Sequence, residues 1–144
     1  MNKNQQKMVA YGRLIDSVMG RVEEIQDWLS PEFEELRKAI DDDKLSAVDD
    51  DRYAKIRKDF TDGSAEYGEL LKKFEGASAP ARFIGNHKML TKAFAAFVDG
   101  CNAMTASLGD AKQIDVPAFD AAEKQQDEET EKITKYLTKI QMLA

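Results

Sequence analysis

The single histidine, His87, is the residue best suited to acid–base chemistry. It lies on an apolar stripe, and folding the chain back at 76–79 would bring it near Tyr67 and Glu69. A histidine beside a carboxylate can titrate near neutral pH or act as a general base. The alternative is a packed side chain satisfied by one hydrogen bond, and the apolar setting favours it. His87 and Glu69 are therefore a possible titrating pair, and no catalytic residue is assigned.

Metal and cofactor chemistry has little support in the residue types. One histidine cannot supply the two Glu-x-x-His motifs of a di-iron carboxylate bundle. A haem held by His87 and a methionine is formally possible, but there is no Cys-x-x-Cys-His motif. The single cysteine, Cys101, lies between Phe97 and Met104 on the apolar stripe, where burial makes a thiol inert. The sequence predicts no metal site and no cofactor.

Two runs of aspartate, 41–43 and 49–51, could attract a cation. They belong to an acidic stretch in a chain of net charge −6. The Asp-x-Asp-x-Asp-Gly spacing of an EF-hand, with its later Glu, is absent. Aspartates before a helix also cap it and complement the positive end of its dipole. We expect a solvated capping segment at 41–51, with a weak divalent-cation site or a partner-docking loop as the alternatives.

Composition limits the classes of partner. The 144 residues are 42% hydrophobic and 33% charged, which is typical of a folded domain. A net negative chain has no general attraction for phosphate backbones, so nucleic acid is not expected as a partner. No apolar run approaches the ~18 residues of a membrane span, and no signal peptide is visible after residues 1–7. The default location is the cytoplasm, with the cell surface as the alternative if the chain is trimmed.

Helical periodicity runs through most of the chain, because apolar residues recur every three or four positions. The three prolines, Pro31, Pro80 and Pro117, fall where helices should start, since proline suits the first turn and disrupts the interior. Helices are predicted at about 4–29, 31–41, 49–75, 79–108 and 116–142. In the last of these the stripe turns polar at Gln126 and Glu129, so it is the weakest helix.

The lengths of the links predict how these helices pack. Short links at 76–79 and 109–115 force neighbouring helices to be antiparallel. The 31–41 segment is a short extra helix between helices one and two. The stretch 83–108 is apolar around most of its circumference, which is typical of a central helix. The sequence predicts an all-α protein with a single domain, residues 1–144, that forms an antiparallel up-down-up-down four-helix bundle.

A stripe of small residues accompanies the apolar stripe of the central helix. Its members are Ala93, Ala96, Gly100, Ala103 and Ser107. Small side chains let another backbone approach closely. The stripe therefore indicates either close packing of two helices within the monomer or a docking face for a partner helix or a second copy of the chain.

The last 65 residues or so show a loose pattern that is similar to small helical-bundle proteins of bacteria. The residues that carry it are Pro80, His87, Leu90, Ala93, Phe97, Gly100, Leu108 and Gly109-Asp110, followed by an amphipathic helix. Many proteins of this kind are secreted or lipid-anchored and have no assigned function. The resemblance implies a helical bundle, and no functional residue is transferred from it.

A strong scaffold pattern combined with absent catalytic motifs favours a non-enzymatic role in protein–protein interaction, self-association or structure. Two alternatives remain. A carrier of a small apolar ligand between the helices would show an interior pocket near Phe94, Phe97 and Met104. An enzyme or pH sensor would show His87 and Glu69 facing each other in a cleft that reaches solvent.

Overall fold

The computed structural model describes all 144 residues, and nearly all of them are helical. The four long helices are α1 (Lys3–Asp41), α2 (Asp50–Glu75), α3 (Ile84–Ser107) and α4 (Val116–Leu143). Short 3-10 turns lie at Leu45–Ala47, Ala81–Phe83 and Asp110–Lys112. The only β-type pairing is an isolated bridge between Leu108 and Ile114. The predicted all-α four-helix bundle is confirmed, and none of its helices has the length and apolar character needed to cross a membrane.

The separate short helix predicted at 31–41 is wrong, because α1 continues through Pro31 as one 39-residue helix. Pro31 has no N–H to donate to the carbonyl of Asp27, and an interior proline costs about 3 kcal/mol or more. Burial on both sides of the proline offsets this cost, since Ile25 and Leu36 are fully buried. The apolar stripe keeps its helical phase across Pro31, and both halves therefore pack as one helix.

The helix predicted at 79–108 starts later than expected. Pro80 precedes a 3-10 turn and has an extended backbone, with φ −56° and ψ 150°. The α-helix begins only at Ile84. Of the three prolines, only Pro117 lies in the first turn of an α-helix.

Aspartates cap the starts of α2 and α4, which confirms the capping role expected for the segment before α2. The Asp49 carboxylate accepts a hydrogen bond from the backbone N–H of Arg52 at 3.4 Å. Asp115 accepts one from the backbone N–H of Ala118 at 3.1 Å. The first N–H groups of a helix have no helical partner, so each cap satisfies one of them. The aspartates at 49–51 thus act, at least in part, as a helix start.

Helix α2 runs unbroken through the turn-like sequence at 61–64, which confirms the prediction of one helix there. Gly63 lies on the face towards α1. A Cβ at this position would lie 2.6 Å from Cδ1 of Leu29. The glycine weakens the helix slightly but lets α1 approach it.

In each pair of sequential helices, residues late in the first helix contact residues early in the second, and earlier residues of the first contact later residues of the second. The contacts are Arg21–Glu66 and Glu35–Arg52 for α1 and α2, Ser64–Thr105 and Phe74–Phe94 for α2 and α3, and Ala96–Gln125 and Gly100–Ala122 for α3 and α4. Residue numbers fall along one helix as they rise along the next. Sequential helices are therefore antiparallel.

The core is divided into two clusters along the bundle. The larger cluster has 17 buried residues and includes Ile25, Phe74 and Phe94. The smaller cluster has 8 and includes Leu36 and Phe119. The partly buried Leu29 packs against both. The level of the bundle between the two clusters, close to Pro31, is where the candidate site lies.

Candidate functional site

His87 is buried, and its ring is held by two hydrogen bonds. Nδ1 lies 2.8 Å from the hydroxyl of Tyr11, and Nε2 lies 2.9 Å from the carbonyl oxygen of Phe74. A carbonyl only accepts, so Nε2 carries the proton and Nδ1 accepts from the Tyr11 hydroxyl. Both ring nitrogens thus have partners, and the Thr91 hydroxyl also lies 3.4 Å from Nε2. This geometry agrees with the interpretation of His87 as a packed side chain. Its hydrogen-bond partners, Tyr11 and Phe74, differ from the neighbours expected from the sequence, Tyr67 and Glu69.

The pairing of His87 with Glu69 is wrong. Glu69 is exposed on α2, and its carboxylate accepts a hydrogen bond from Lys72 at 3.1 Å. The helical phase of α2 explains the difference, because it turns Phe74 towards the core and Glu69 to solvent. His87 therefore has no carboxylate partner for acid–base chemistry.

The small-residue stripe on α3 is covered by α4 within the chain. The amide of Gln125 donates to the carbonyl of Ala96 at 2.8 Å, and Gln126 donates to the carbonyl of Gly100 at 3.1 Å. A Cβ on Gly100 would lie 3.0 Å from Cγ of Gln126. The stripe provides close packing inside the monomer, and the docking face proposed for it is not a free surface.

Burial of the individual stripe residues agrees with that packing. Ala93, Gly100 and Ser107 are buried and Ala96 is half-buried. Only Ala103 is exposed. A single exposed alanine does not make a partner surface.

The acidic segment is tied to the rest of the protein by Lys112. Its ammonium donates to the carbonyls of Ser46 and Val48 at 3.2 and 3.0 Å and lies 3.0 Å from the Asp50 carboxylate. No three acidic, histidine or cysteine side chains are grouped to hold a metal ion. The segment behaves as a capped and anchored connection between α1 and α2.

A cleft of about 550 Å³ lies between the two core clusters, and all four helices line it. We call it the mid-bundle cleft. The lining residues of α2 and α3 are mostly buried, whereas most of those from α1 and α4 are exposed. The cleft therefore opens between α1 and α4 and is closed behind by α2 and α3.

The inner surface of the mid-bundle cleft is aromatic and sulfur-rich. It is formed by Phe60, Tyr67, Phe97, Cys101 and Met104. Tyr67 and Phe97 meet edge to face, with ring centroids 5.1 Å apart. Such surfaces suit the apolar body of a small ligand.

Two polar groups of the inner surface have distinct properties. Burial raises the pKa of the Cys101 thiol to about 12, so the thiol stays protonated and unreactive. Burial also raises the pKa of Tyr67 above its ordinary value. Tyr67 is only 3% exposed, and no hydrogen bond joins its hydroxyl to another residue. The hydroxyl is not one of the fully enclosed atoms that lack a partner, so it keeps accessible surface in the cleft and is available to a ligand.

The mouth of the mid-bundle cleft is polar. Glu34 of α1 lies on one side, and Glu123, Gln126 and Asp127 of α4 lie on the other. Gln126 occupies the position where the apolar stripe of α4 turned polar in the sequence. A helix that lines an opening needs no apolar residue at the position that faces it. The polar interruption was therefore the one feature of the sequence that pointed to this site.

The expected pocket residues are placed as follows. Phe97 and Met104 line the mid-bundle cleft. Phe94 does not line it, because it is fully buried in the larger cluster against Phe74. The aromatic residues Phe60 and Phe33 were not anticipated from the sequence, since both also fit an ordinary core stripe.

Comparison of the chain with protein-family models, with curated proteins and with solved structures finds no match.

Proposed function

We propose that this protein is a non-catalytic binding protein that takes a small molecule with an apolar body into the mid-bundle cleft. The observation that carries the proposal is the cleft itself, with its aromatic inner surface between two packed core clusters. Its volume of about 550 Å³ falls within the range of ordinary ligand pockets, about 300–1,000 Å³.

The other functional hypotheses have less support. A docking role rested on the small-residue stripe, and α4 covers most of that stripe. An enzyme or pH sensor rested on His87 beside Glu69, and these side chains have other partners. The carrier hypothesis predicted an opening near Phe94, Phe97 and Met104, and Phe97 and Met104 line the cleft.

A neutral fluorescent dye tests the proposal. N-phenyl-1-naphthylamine fluoresces weakly in water and strongly in apolar surroundings, so a saturable increase in fluorescence on addition of the protein is expected. Ser64 is buried on α2 and lines the cleft. Ser64→Leu should fill part of the opening and weaken dye binding by about tenfold, as expected for the loss of about 1.4 kcal/mol.

The matched control is Ala65→Leu. Ala65 is the next residue of α2 and is exposed, so the new side chain lies outside the cleft. Dye binding should be the same as in the original protein. Equal loss in both variants, or no saturable binding in any of them, contradicts the proposed function. Circular dichroism checks that both variants remain helical.

A further inference from the structure

The charges at the mouth of the mid-bundle cleft favour one class of ligand. Glu34, Glu123 and Asp127 line the opening, and no lysine, arginine or histidine does. Glu123 pairs with Arg37 outside the lining, and the Arg37 guanidinium lies 3.2 Å from the Glu123 carboxylate. Arg37 also pairs with Asp120 at 2.7 Å. Its charge is thus shared, and Glu34 and Asp127 have no salt bridge.

The inner surface of the cleft complements these carboxylates. The faces of aromatic rings attract cations, and Phe60, Tyr67 and Phe97 are all part of this surface. Tyr67 lines the cleft, and its hydroxyl, which makes no hydrogen bond within the protein, can accept one from an N–H group. The interior therefore accepts apolar groups and tolerates a positive charge, but it contains no cationic side chain to balance a negative one.

We infer that the mid-bundle cleft binds organic cations, namely amphipathic amines with one protonated nitrogen and an apolar body. The apolar body lies against Phe60, Tyr67 and Phe97, and the ammonium group lies at the mouth beside Glu34 and Asp127. The inference rests on the proposed function, because it assigns a ligand class to the same cleft. The net charge of −6 adds a general attraction for cations.

Three ligands that differ only in the head group test this assignment. They are 4-phenylbutylamine, 4-phenylbutan-1-ol and 5-phenylpentanoate, which all have four methylene groups, each used to displace N-phenyl-1-naphthylamine at neutral pH and low ionic strength. The amine should displace the dye at a concentration about tenfold lower than the alcohol. The carboxylate should be the weakest competitor. Added salt should reduce the advantage of the amine, because the two unpaired mouth carboxylates, Glu34 and Asp127, are exposed.

A double variant locates the effect. Glu34→Gln with Asp127→Asn removes the two unpaired carboxylates and should bring the amine to within about twofold of the alcohol. Its control is Glu23→Gln with Glu131→Gln, which removes two exposed charges from the same two helices away from the cleft. The control should keep the preference for the amine, because total charge changes equally in both variants.

The outcomes separate this inference from the proposed function. If the dye binds and the alcohol competes as well as the amine, the cleft is a neutral site and the cation assignment is wrong. The assignment is also wrong if the carboxylate competes best, or if the control variant loses the preference as fully as the mouth variant. If the dye does not bind at all, the proposed function itself fails.

Discussion

Glu32 is the residue with the most unusual environment in the protein. It is 4% exposed on α1, and its Oε1 atom is buried without a hydrogen-bond partner. Burial, followed by the nearby Asp59, raises the pKa of Glu32 to about 7. The pKa of Asp59 is lowered overall, because hydrogen bonds from Lys55 and Glu32 outweigh its own burial. Below about pH 7 the Glu32 carboxyl therefore keeps a proton that an exposed glutamate would lose, whereas Asp59 is ionised.

This pair predicts how stability depends on pH. A carboxyl group whose pKa rises on folding binds more protons in the folded state, so stability falls as the pH rises from about 4.5 to about 7. Glu32→Gln should remove that loss and stabilise the protein above pH 7 by up to about 3 kcal/mol. Urea unfolding at pH 5 and pH 8 measures the change. Asp59, whose pKa is lowered on folding, makes stability rise with pH instead. This effect is confined to pH values below its ordinary pKa of 3.8, outside this range.

The control for this prediction is Glu23→Gln. Glu23 is exposed on the same helix, and its replacement should leave the pH profile unchanged. A Glu32→Gln variant with the original slope between pH 5 and pH 8 would show that Glu32 does not titrate in this range.

Tyr11 provides a second prediction at the scale of one residue. Its hydroxyl donates to the buried Nδ1 of His87 at 2.8 Å. Tyr11→Phe should leave that nitrogen without a partner and destabilise the protein by about 1–3 kcal/mol. The matched control is Tyr136→Phe, on a half-buried tyrosine whose hydroxyl makes no hydrogen bond to another residue. Equal denaturation midpoints for the two variants would contradict the role given to this hydrogen bond.

At the scale of single elements, α1 contains a local defect at Pro31. The helix continues through the proline because its apolar stripe remains in phase on both sides. Pro31→Ala should restore the hydrogen bond to the Asp27 carbonyl and stabilise the protein by about 1–3 kcal/mol. Pro117→Ala is the control, because Pro117 lies in the first turn of α4, where no helical hydrogen bond is lost. Thermal unfolding of both variants should show a gain for Pro31→Ala only.

Glycines in two of the helices should respond differently to the same substitution. Gly20 has open space around the position of a Cβ, so Gly20→Ala should stabilise α1 by about 0.5–1 kcal/mol. At Gly100 a Cβ would lie 3.0 Å from Cγ of Gln126, so the Gln126 side chain, which donates to the Gly100 carbonyl, would have to move. Gly100→Ala should therefore show no gain or a loss. A similar gain at both positions in chemical denaturation would mean that α3 and α4 are not closely packed there.

At the scale of the whole molecule, the helices are not held together equally. The small-residue stripe lets α3 and α4 pack closely, and the side chains of Gln125 and Gln126 on α4 donate hydrogen bonds to backbone carbonyls of α3. On the opposite side the mid-bundle cleft separates α1 from α4 near Ser30. In native-state hydrogen exchange, amides of α1 beside the cleft should open more readily than those of α3. Protection of α1 equal to that of α3 would contradict this order, and bound amine should raise protection in α1.

The sequence alone predicted the helical elements well because period and capping are local properties. The apolar phase of α2 persisted through residues 61–64, and the aspartates at 49–51 indicated the start of that helix. The same local rules failed at Pro31. They include the free-energy cost of a proline inside a helix, but not the stabilisation from burial of residues on both sides of it.

Parts of the candidate site could not be obtained from local rules. The sequence showed that the apolar stripe is interrupted at Gln126. It did not show that Gln126 faces an opening that Phe60 and Tyr67 also line. Likewise, His87 was recognised as a packed residue, whereas its partners Tyr11 and Phe74 come from two other helices. Such pairings depend on how helices are rotated and offset against each other.

By itself, the sequence determined that four amphipathic helices form and that short links fold them back on one another, since periodicity and link length act along the chain. Tertiary structure alone decided that α4 covers the small stripe, that Glu32 meets Asp59, and that a cleft remains between two core clusters. The physical reason is that side-chain volumes from all four helices must fill one shared interior, and the place where they fail to fill it is a property of the whole packing.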